Sequence, residues 1–303
     1  ARDGQIVDEI NQAHTNHRYL GDAALNAKLA ATTDIGAAVN QAEAVLIAVP
    51  SSHFREVLAS ALSHLPMGIP LISLSKGLEK GSRMRMTEII HDVAPGRIPG
   101  VLTGPNLARE IVAGQAAASV LALEDHEAAL ALQPKLNAGL FRVYTNQDVI
   151  GCELGGVLKN IIAIAVGMGD GLGAGDNTRA ALITRGLAEM SRLGEALGGK
   201  AETFAGLAGM GDMIATCTSP QSRNRHVGIE LAKGRSIDDI IDTMHMVAEG
   251  VKSAPTVIDL AQEKGISLPI SEDVYRVIIG ESNARGVYRG LLRVTAGAES
   301  DPG

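Results

Sequence analysis

The stretch CELGGVLKNIIAIAVG, residues 152–167, sets the organisation of this chain. After Glu153 its only polar side chains are Lys159 and Asn160. Apolar residues fill every angular position of a helix drawn through the stretch, a pattern that predicts a helix buried on all sides. The sequence therefore places a lysine inside a protein core.

A lysine in such a position requires an oppositely charged partner or a functional role. Burying an ammonium group without partners is so costly that the group tends to lose its proton. Lys159 must therefore pair with a carboxylate or exchange its proton in a reaction. Glu153 is six residues away on a different face of the helix, so it is not the expected partner. A structural ion pair, or a lysine that reaches the rim of the core, explains the pattern equally well at this point.

The composition excludes several classes of protein. The chain has 303 residues, a formal charge of −7, 2% aromatic residues and no Trp. Nucleic-acid binders that track phosphates or stack bases are basic or rich in aromatic side chains, so no nucleic-acid partner is expected. The length is about twice that of a usual domain, which predicts two domains.

Cysteine, histidine and hydropathy patterns favour a cytoplasmic protein without a metal. Cys152 and Cys217 form no CxxC pattern, which argues for a reducing compartment and against a zinc site. His14 and His17 have no acidic or cysteine residue at metal-ligand spacing. No signal-peptide pattern and no run of about 18 uninterrupted apolar residues is present, so no integral membrane segment is predicted.

The first half of the chain predicts an α/β domain. Patterns typical of strands cover residues 42–49, 70–74, 98–103 and 117–123, and a last strand pattern ends at Tyr144. Residues 53–65 and 85–93 have helical spacing. Continuous apolar strands that alternate with helices predict a doubly wound, largely parallel sheet.

The second half predicts helices alone. They cover residues 149–168, 179–197, 213–217, 221–232, 237–244, 251–263, 272–279 and 285–294. The change near Gln147 divides the chain into an α/β domain, residues 1–147, and an all-helical domain, residues 148–303.

Polar turns follow three of the predicted strands, at residues 49–52, 73–77 and 103–106. Ligands of doubly wound sheets bind beyond the carboxyl ends of the strands. We therefore expect a binding site at these turns, and Lys76 lies in the second of them. A lone lysine in a turn is also commonly just a solvated side chain.

The beginning of the chain lacks one motif. A dinucleotide-binding sheet opens with a strand, a G-x-G-x-x-G turn and a helix. The chain starts instead with Ala1, Arg2 and Asp3, which we interpret as the end of a second strand. We therefore expect a sheet that is truncated on its N-terminal side.

Two further segments contain candidate site residues. Residues 104–110, GPNLARE, open a predicted helix whose free N–H groups are suited to an anion, although an ordinary capped helix start gives the same pattern. Asp212 is the only charge in residues 206–213, GLAGMGDM. It is either a helix cap or the partner that Lys159 needs.

Residues 216–226, TCTSPQSRNRH, are chemically the richest segment. Ser219 is predicted to cap a helix and Pro220 to occupy its first position. Ser222, Arg223 and Asn224 then offer a hydroxyl, a guanidinium and an amide near a helix N-terminus, which favours a phosphate site. An exposed polar helix start remains the alternative.

Six blocks, in this order along the chain, resemble the bacterial NAD(P)-dependent glycerol-3-phosphate dehydrogenases. They are SKGLEKG, LTGPNLAREI, GGVLKNIIAIAVGMGDGLG, ALITRGLAEMSRLG, GLAGMGDMIATCTSPQSRNRHVG and VAEGVKSAPTV, and the resemblance runs from Arg2 to Leu292. It implies a Rossmann-like nucleotide domain, incomplete here, followed by an all-helical substrate domain. It also implies hydride transfer with NAD or NADP between dihydroxyacetone phosphate and sn-glycerol 3-phosphate, the precursor of glycerophospholipids.

The resemblance implies a role for each candidate residue. Lys159 gives its proton to the substrate carbonyl, Asp212 holds Lys159, and Lys76 contacts both substrate and cofactor. Further implied substrate contacts are Gly104, Asn106, Asn160, Asp212, Ser222, Arg223 and Asn224. Further implied cofactor contacts are Arg2, Ala108, Arg223, Val247 and Glu249.

Two departures from the family leave alternatives open. Asn106 stands where the family commonly has Ser or Thr, and the glycine-rich loop is not in this chain. One alternative is a non-catalytic protein that retains the helical domain as a phosphate-binding or dimerising module. Another is a related reductase that acts on a different small acid. The expected partner is a triose phosphate, and a homodimer is compatible with the resemblance.

Overall fold

The computed structural model describes residues 1–244 and 248–291. Its sheet contains β1 (Val45–Ile47), β2 (Pro70–Ser73), β3 (Ile98–Thr103), β4 (Ala117–Leu123) and β5 (Phe141–Asn146). The strands lie in the order β1-β2-β3-β4-β5, and neighbours are parallel except for β3 and β4. The predicted Rossmann-like α/β fold is confirmed, with one antiparallel pair that the apolar pattern did not reveal.

The α-helices that precede or alternate with these strands are α1 (Gly4–Ala13), α2 (His17–Leu20), α3 (Ile35–Val39), α4 (Phe54–Ala61), α5 (Met86–Val93), α6 (Ala108–Val112) and α7 (His126–Leu136). Ala1–Asp3, interpreted above as a strand end, are not in a strand. The side chain of Asp3 accepts a hydrogen bond from the Gln5 N–H and caps α1.

The sheet is covered on both faces. Leu71 and Ile72 are adjacent in β2 and fully buried, and they belong to different cores. Leu71 packs with α4 and α5 on one face, and Ile72 packs with α7 on the other. Successive side chains of a strand point to opposite faces, so the continuous apolar runs of the sequence follow from burial on both sides.

The remainder is helical, as predicted. It contains α8 (Val149–Gly171), α9 (Asp176–Ala196), α10 (Ala201–Ala205), α11 (Asp212–Thr218), α12 (Arg223–Ala232), α13 (Ile237–Thr243), α14 (Glu249–Lys264), α15 (Pro269–Ile278) and α16 (Ala284–Leu291), with a π-helical turn at Leu207–Gly211. The end of the helix predicted for residues 285–294 lies outside the described residues.

Helix α8 is the centre of this part of the protein. It packs against α9, α11, α12, α14 and α15, and its side chains are buried from Gly151 to Gly169. Its length and mean hydropathy of 1.8 would suit a membrane span, but 94% of its most apolar window is buried inside the protein. The apolar surface of α8 is therefore covered by the other helices.

Glu153 joins the first turns of α8 to the α/β half of the chain. Its carboxylate accepts hydrogen bonds from the Thr87 N–H at 2.9 Å and from Arg85 at 2.8 Å. Burial raises the pKa of Glu153, and Arg85 and Thr87 oppose the shift. Glu153 is thus satisfied at the start of α5, in agreement with its exclusion as the partner of Lys159.

The backbones of helices α8 and α12 approach each other closely at Gly228. A Cβ at Gly228 would lie 2.1 Å from the Ile164 carbonyl oxygen and 2.7 Å from the Met168 nitrogen. Both neighbours are backbone atoms of α8, so no side-chain rotation can make room.

We expect Gly228→Ala to reduce the free energy of unfolding by about 3 kcal/mol, because the added methyl forces the two helices apart. Urea denaturation measures the change. The matched control is Gly286→Ala on α16, where the nearest atoms to a Cβ lie at 3.5 Å. Equal stabilities of the two variants would contradict the close helix contact.

Candidate active site

Lys159, Asp212 and Lys76 form one buried charge cluster. Lys159 Nζ lies 2.5 Å from Asp212 Oδ1, and Lys76 Nζ lies 2.7 Å from Asp212 Oδ2. The Lys159 and Asp212 side chains are 6% and 3% exposed, and that of Lys76 is 17% exposed. One carboxylate therefore holds two ammonium groups, one from each half of the chain.

The cluster perturbs the protonation of its members. Burial, with the nearby Lys76 charge, lowers the pKa of Lys159 to about 8, although Asp212 opposes the shift. Burial alone would raise the pKa of Asp212, but the two lysines outweigh it and the net shift is downward. Lys159 can therefore gain or lose its proton near neutral pH while Asp212 stays ionised.

Thr216 completes the surroundings of Lys159, and sequence reasoning missed it. Its hydroxyl lies 2.5 Å from Lys159 Nζ and donates to the Asp212 carbonyl oxygen at 2.7 Å. Thr216 is four residues after Asp212 on α11, so both lie on one helix face. That spacing was the available clue.

Lys76 links the ends of two strands. It follows β2, and its Nζ donates to the Gly104 carbonyl oxygen and to Asn106 Oδ1, both at 3.1 Å, beyond the end of β3. Gly104 has φ of +116°, in the region that favours glycine, and a Cβ there would lie 3.2 Å from the Ser119 Cα. The structure therefore brings Lys76, Gly104 and Asn106 together.

The first turn of α12 is tied to α8 by amide groups. Asn224 Nδ2 donates to Asn160 Oδ1 at 2.9 Å, and the Gly250 N–H donates to Asn224 Oδ1 at 3.0 Å. Asn160 follows Lys159 directly. The amide chain thus fixes α12 and the start of α14 relative to the catalytic candidate.

The predicted start of α12 is corrected. Ser222, and not Ser219, caps the helix, since Ser222 Oγ accepts from the Arg225 N–H at 3.2 Å and Arg223 is the first helical residue. Ser219 lies at the end of α11, where Pro220 separates the two helices. Ser222, Arg223 and Asn224 are still neighbours at a helix N-terminus.

Glu249 and Arg223 lie at the edge of the same region. Glu249 Oε2 accepts from Ser51 Oγ at 2.8 Å, which connects α14 to the turn after β1. Desolvation lowers the pKa of Arg223, and the Glu249 charge opposes the shift. Glu249 is thus close enough to Arg223 to influence it electrostatically.

The other predicted cofactor positions are Ala108, Arg2 and Val247. Ala108 is the exposed first residue of α6. Arg2 is exposed ahead of α1, and among the described residues it has no hydrogen bond or ion pair. Val247 lies outside the residues that the structure describes.

The strand ends fit a nicotinamide cofactor. Thr103 Oγ1, at the end of β3, is buried and has no hydrogen-bond partner within the described parts of the chain. The glycine backbone at Gly104 and the cation of Lys76 are beside it. An orphan hydroxyl and a cation are groups that a polar, anionic cofactor can use.

This combination defines a class of protein. A Rossmann-like sheet joined to a helical domain, with a lysine–carboxylate cluster at the strand ends, belongs to the two-domain dinucleotide-dependent oxidoreductases. Family models described as the N-terminus and the C-terminus of NAD-dependent glycerol-3-phosphate dehydrogenase match residues 1–129 and 148–289. The chain belongs to the NAD-dependent glycerol-3-phosphate dehydrogenase family.

Individual relatives agree with this assignment. The chain is 62% identical over 303 residues to glycerol-3-phosphate dehydrogenase NAD(P)+ 2 of Sphingopyxis alaskensis, covering 100% of itself and 91% of that protein. It is 50% identical over 299 residues to a Mycobacterium tuberculosis glycerol-3-phosphate dehydrogenase NAD(P)+ 1, covering 98% and 88%. The crystal structure of glycerol-3-phosphate dehydrogenase from Coxiella burnetii superposes with a TM-score of 0.91 at 37% identity, covering 97% and 90%.

The lowered pKa of Lys159 predicts a pH dependence of stability. Between the folded pKa of about 8 and the ordinary lysine pKa of 10.5, the unfolded chain binds more protons than the folded one, so stability rises with pH in that window. We expect Lys159→Met to remove this rise, worth roughly 3 kcal/mol. Urea unfolding at pH 7.5 and pH 10 measures it.

The control is Lys80→Met, which changes an exposed lysine and should keep the wild-type pH dependence. An unchanged pH dependence in Lys159→Met would show that Lys159 is not the titrating group.

Proposed function

We propose that this chain interconverts dihydroxyacetone phosphate and sn-glycerol 3-phosphate by hydride transfer with NADH or NADPH. The observation that carries the proposal is the buried pair of Lys159 and Asp212, located where the strand ends meet the first turn of α12. The relatives reported above are named as dehydrogenases. This favours catalysis over the alternative of a non-catalytic phosphate-binding module.

Lys159 is the proposed proton donor. Negative charge develops on the substrate carbonyl oxygen as hydride reaches the carbon, and an ammonium group both stabilises that charge and supplies the proton. In the oxidation direction the neutral amine takes the proton back. The pKa of about 8 makes both forms of Lys159 accessible near neutral pH.

Asp212 and Lys76 support this step. Asp212 remains ionised between two cations and keeps Lys159 oriented. Lys76, held by the Gly104 carbonyl and Asn106, adds positive potential at the strand ends. In this proposal Lys76, Gly104 and Asn106 contact the substrate hydroxyl and carbonyl region.

Ser222, Arg223 and Asn224 are the proposed phosphate contacts. They cap or open α12, a helix of 10 residues whose N-terminus favours an anion. Asn160 couples this turn to Lys159 through Asn224. Binding the phosphate away from the reacting carbon would hold the ketone in place for reaction, an effect worth several kcal/mol, on the order of 7.

A nicotinamide cofactor, when bound, would supply the hydride. Lys76, Arg223 and Glu249 are the proposed cofactor contacts near the cluster, and Ala108, Arg2 and Val247 are the other proposed cofactor contacts. Turnover measured with NADH and with NADPH gives the nucleotide preference of the enzyme.

We also propose a division into a nucleotide-binding domain, residues 1–147, and a substrate domain, residues 148–303. The end of β5 at Asn146 and the start of α8 at Val149 support it. Two buried free cysteines are consistent with a cytoplasmic protein. The homodimer allowed by the family resemblance is a proposal that light scattering tests.

We expect Lys159→Met to lower kcat by about 10²- to 10⁴-fold, since the variant lacks the proton donor. NAD(P)H binding, followed by nucleotide fluorescence, should stay close to wild type. The variant Lys80→Met serves as the control and should keep full activity. A near wild-type rate in Lys159→Met would rule out the proposed mechanism.

We expect Arg223→Ala to raise KM for dihydroxyacetone phosphate by roughly 10- to 100-fold, because a charge-assisted bond to the phosphate is lost. KM for unphosphorylated dihydroxyacetone should change little. Arg235→Ala removes a charge that pairs with Glu230 and is the control. Equal effects of Arg223→Ala on both ketones would place the phosphate elsewhere.

A further inference from the structure

Helix α8 contains two adjacent glycines, Gly155 and Gly156, one turn before Lys159. A glycine inside a helix costs about 1 kcal/mol relative to alanine. Both positions are buried, so solvent exposure does not explain the choice. Their neighbours show what the missing side chains make possible.

Gly155 faces the segment that leads to Asp212. A Cβ at Gly155 would lie 2.7 Å from the Ala208 carbonyl oxygen and 3.3 Å from the Gly209 Cα. Ala208 and Gly209 belong to the π-helical turn Leu207–Gly211, and Asp212 follows that turn directly. Such turns are rare and occur frequently at functional sites.

Gly156 faces Lys76, the second lysine of the charge cluster. A Cβ at Gly156 would lie 3.3 Å from Lys76 Cγ and 3.1 Å from Thr103 Oγ1. The Gly156 carbonyl oxygen also accepts from Asn160 Nδ2 at 3.1 Å. The absence of a side chain therefore lets the stem of Lys76 approach α8.

Gly155 and Gly156 precede Lys159 by four and three residues, the spacings that place side chains on one helix face. We infer that the Gly155–Gly156 pair is the positioning element that sets the distances among Lys159, Asp212 and Lys76. Gly155 does so through the backbone before Asp212, and Gly156 through the stem of Lys76. The inference rests on the proposed function of the cluster in proton transfer.

Substitutions at the two glycines should shift the pKa of Lys159 in opposite directions. The titratable groups that face Lys159 are Asp212 and Cys217 on α11 and Lys76 after β2. Burial raises the pKa of Cys217 to about 12, so this thiol is neutral. Moving Asp212 away removes an interaction that favours the charged lysine, whereas moving Lys76 away removes one that disfavours it.

The first test is Gly155→Ala, assayed in the reduction of dihydroxyacetone phosphate. The methyl must displace the backbone before Asp212, and misplacement on the order of 1 Å can cost about 100-fold in rate. We expect kcat to fall by about 10- to 100-fold. The alkaline limb of the pH–rate profile, where Lys159 loses its proton, should move to lower pH by about 0.5 to 1 unit.

The second test is Gly156→Ala, whose methyl meets side-chain atoms that can move. Displacement of Lys76 should move the same alkaline limb to higher pH. KM for dihydroxyacetone phosphate should rise about 3- to 10-fold, since Lys76 no longer holds Asn106 and Gly104 as tightly. If Gly155→Ala does not fold, this variant decides the inference.

Gly169→Ala on the same helix is the matched control, because a Cβ there meets a Leu182 methyl at an ordinary 3.4 Å. It should behave as wild type. Unchanged alkaline limbs in both test variants, or shifts in the same direction, would overturn the inference while leaving the proposed function in place. A simple loss of thermal stability would lower Tm without moving the alkaline limb of either variant.

A measurement that does not depend on turnover distinguishes the positioning role of the two glycines from the proposed function. The rise of unfolding free energy between pH 7.5 and pH 10 reports the pKa of Lys159 directly. It should be larger than wild type in Gly155→Ala and smaller in Gly156→Ala. If these changes appear in a protein that does not reduce dihydroxyacetone phosphate, the positioning role stands and the proposed function fails.

Discussion

The Asp212 carboxylate, shared between Lys159 and Lys76, is the interaction on which the site depends. Two cations and one anion in a nearly dry environment leave an excess positive charge, and burying such a charge is unfavourable. The surrounding structure must offset that cost. It does so with Thr216, Asn106 and the Gly104 carbonyl, which supply the remaining hydrogen-bond partners.

The same excess charge suits the proposed chemistry. A substrate with a phosphate, and a carbonyl that becomes an alkoxide, would bring negative charge that balances the two lysines. Electrostatic groups fixed before the reaction need not reorganise during it, which is why such sites are effective. The unfavourable burial of Lys159 is thus a cost to folding that would serve the proposed proton transfer, and it lowers the pKa of Lys159.

Helix α8 supports this arrangement because several neighbouring elements approach it closely. Glycine contacts bring α12 and the π-helical turn against its backbone, and Glu153 ties its first turns to α5. The helix therefore positions Lys159 relative to both halves of the chain. Close-packed protein interiors have low compressibility, so the distances within the cluster are well defined.

The sequence by itself determined the burial of Lys159 and several of the local elements. Strands β3 and β4 match their predicted ranges because apolar runs bounded by turn residues encode burial directly, and α8 follows from its apolar residues on all sides. The sequence also suggested Asp212 as a partner, with a helix cap as the alternative. It placed the cap of α12 at Ser219, three residues too early, and it did not show Thr216 or the antiparallel β4.

Only the tertiary structure decided which groups meet. Asp212 is 53 residues from Lys159 and 136 residues from Lys76 along the chain, and no periodic pattern spans such separations. Periodicity reports which face of an element is buried, whereas pairing depends on how distant elements pack. The role of Gly155 and Gly156 has the same origin, since what a glycine makes room for is visible only when its neighbours are in place.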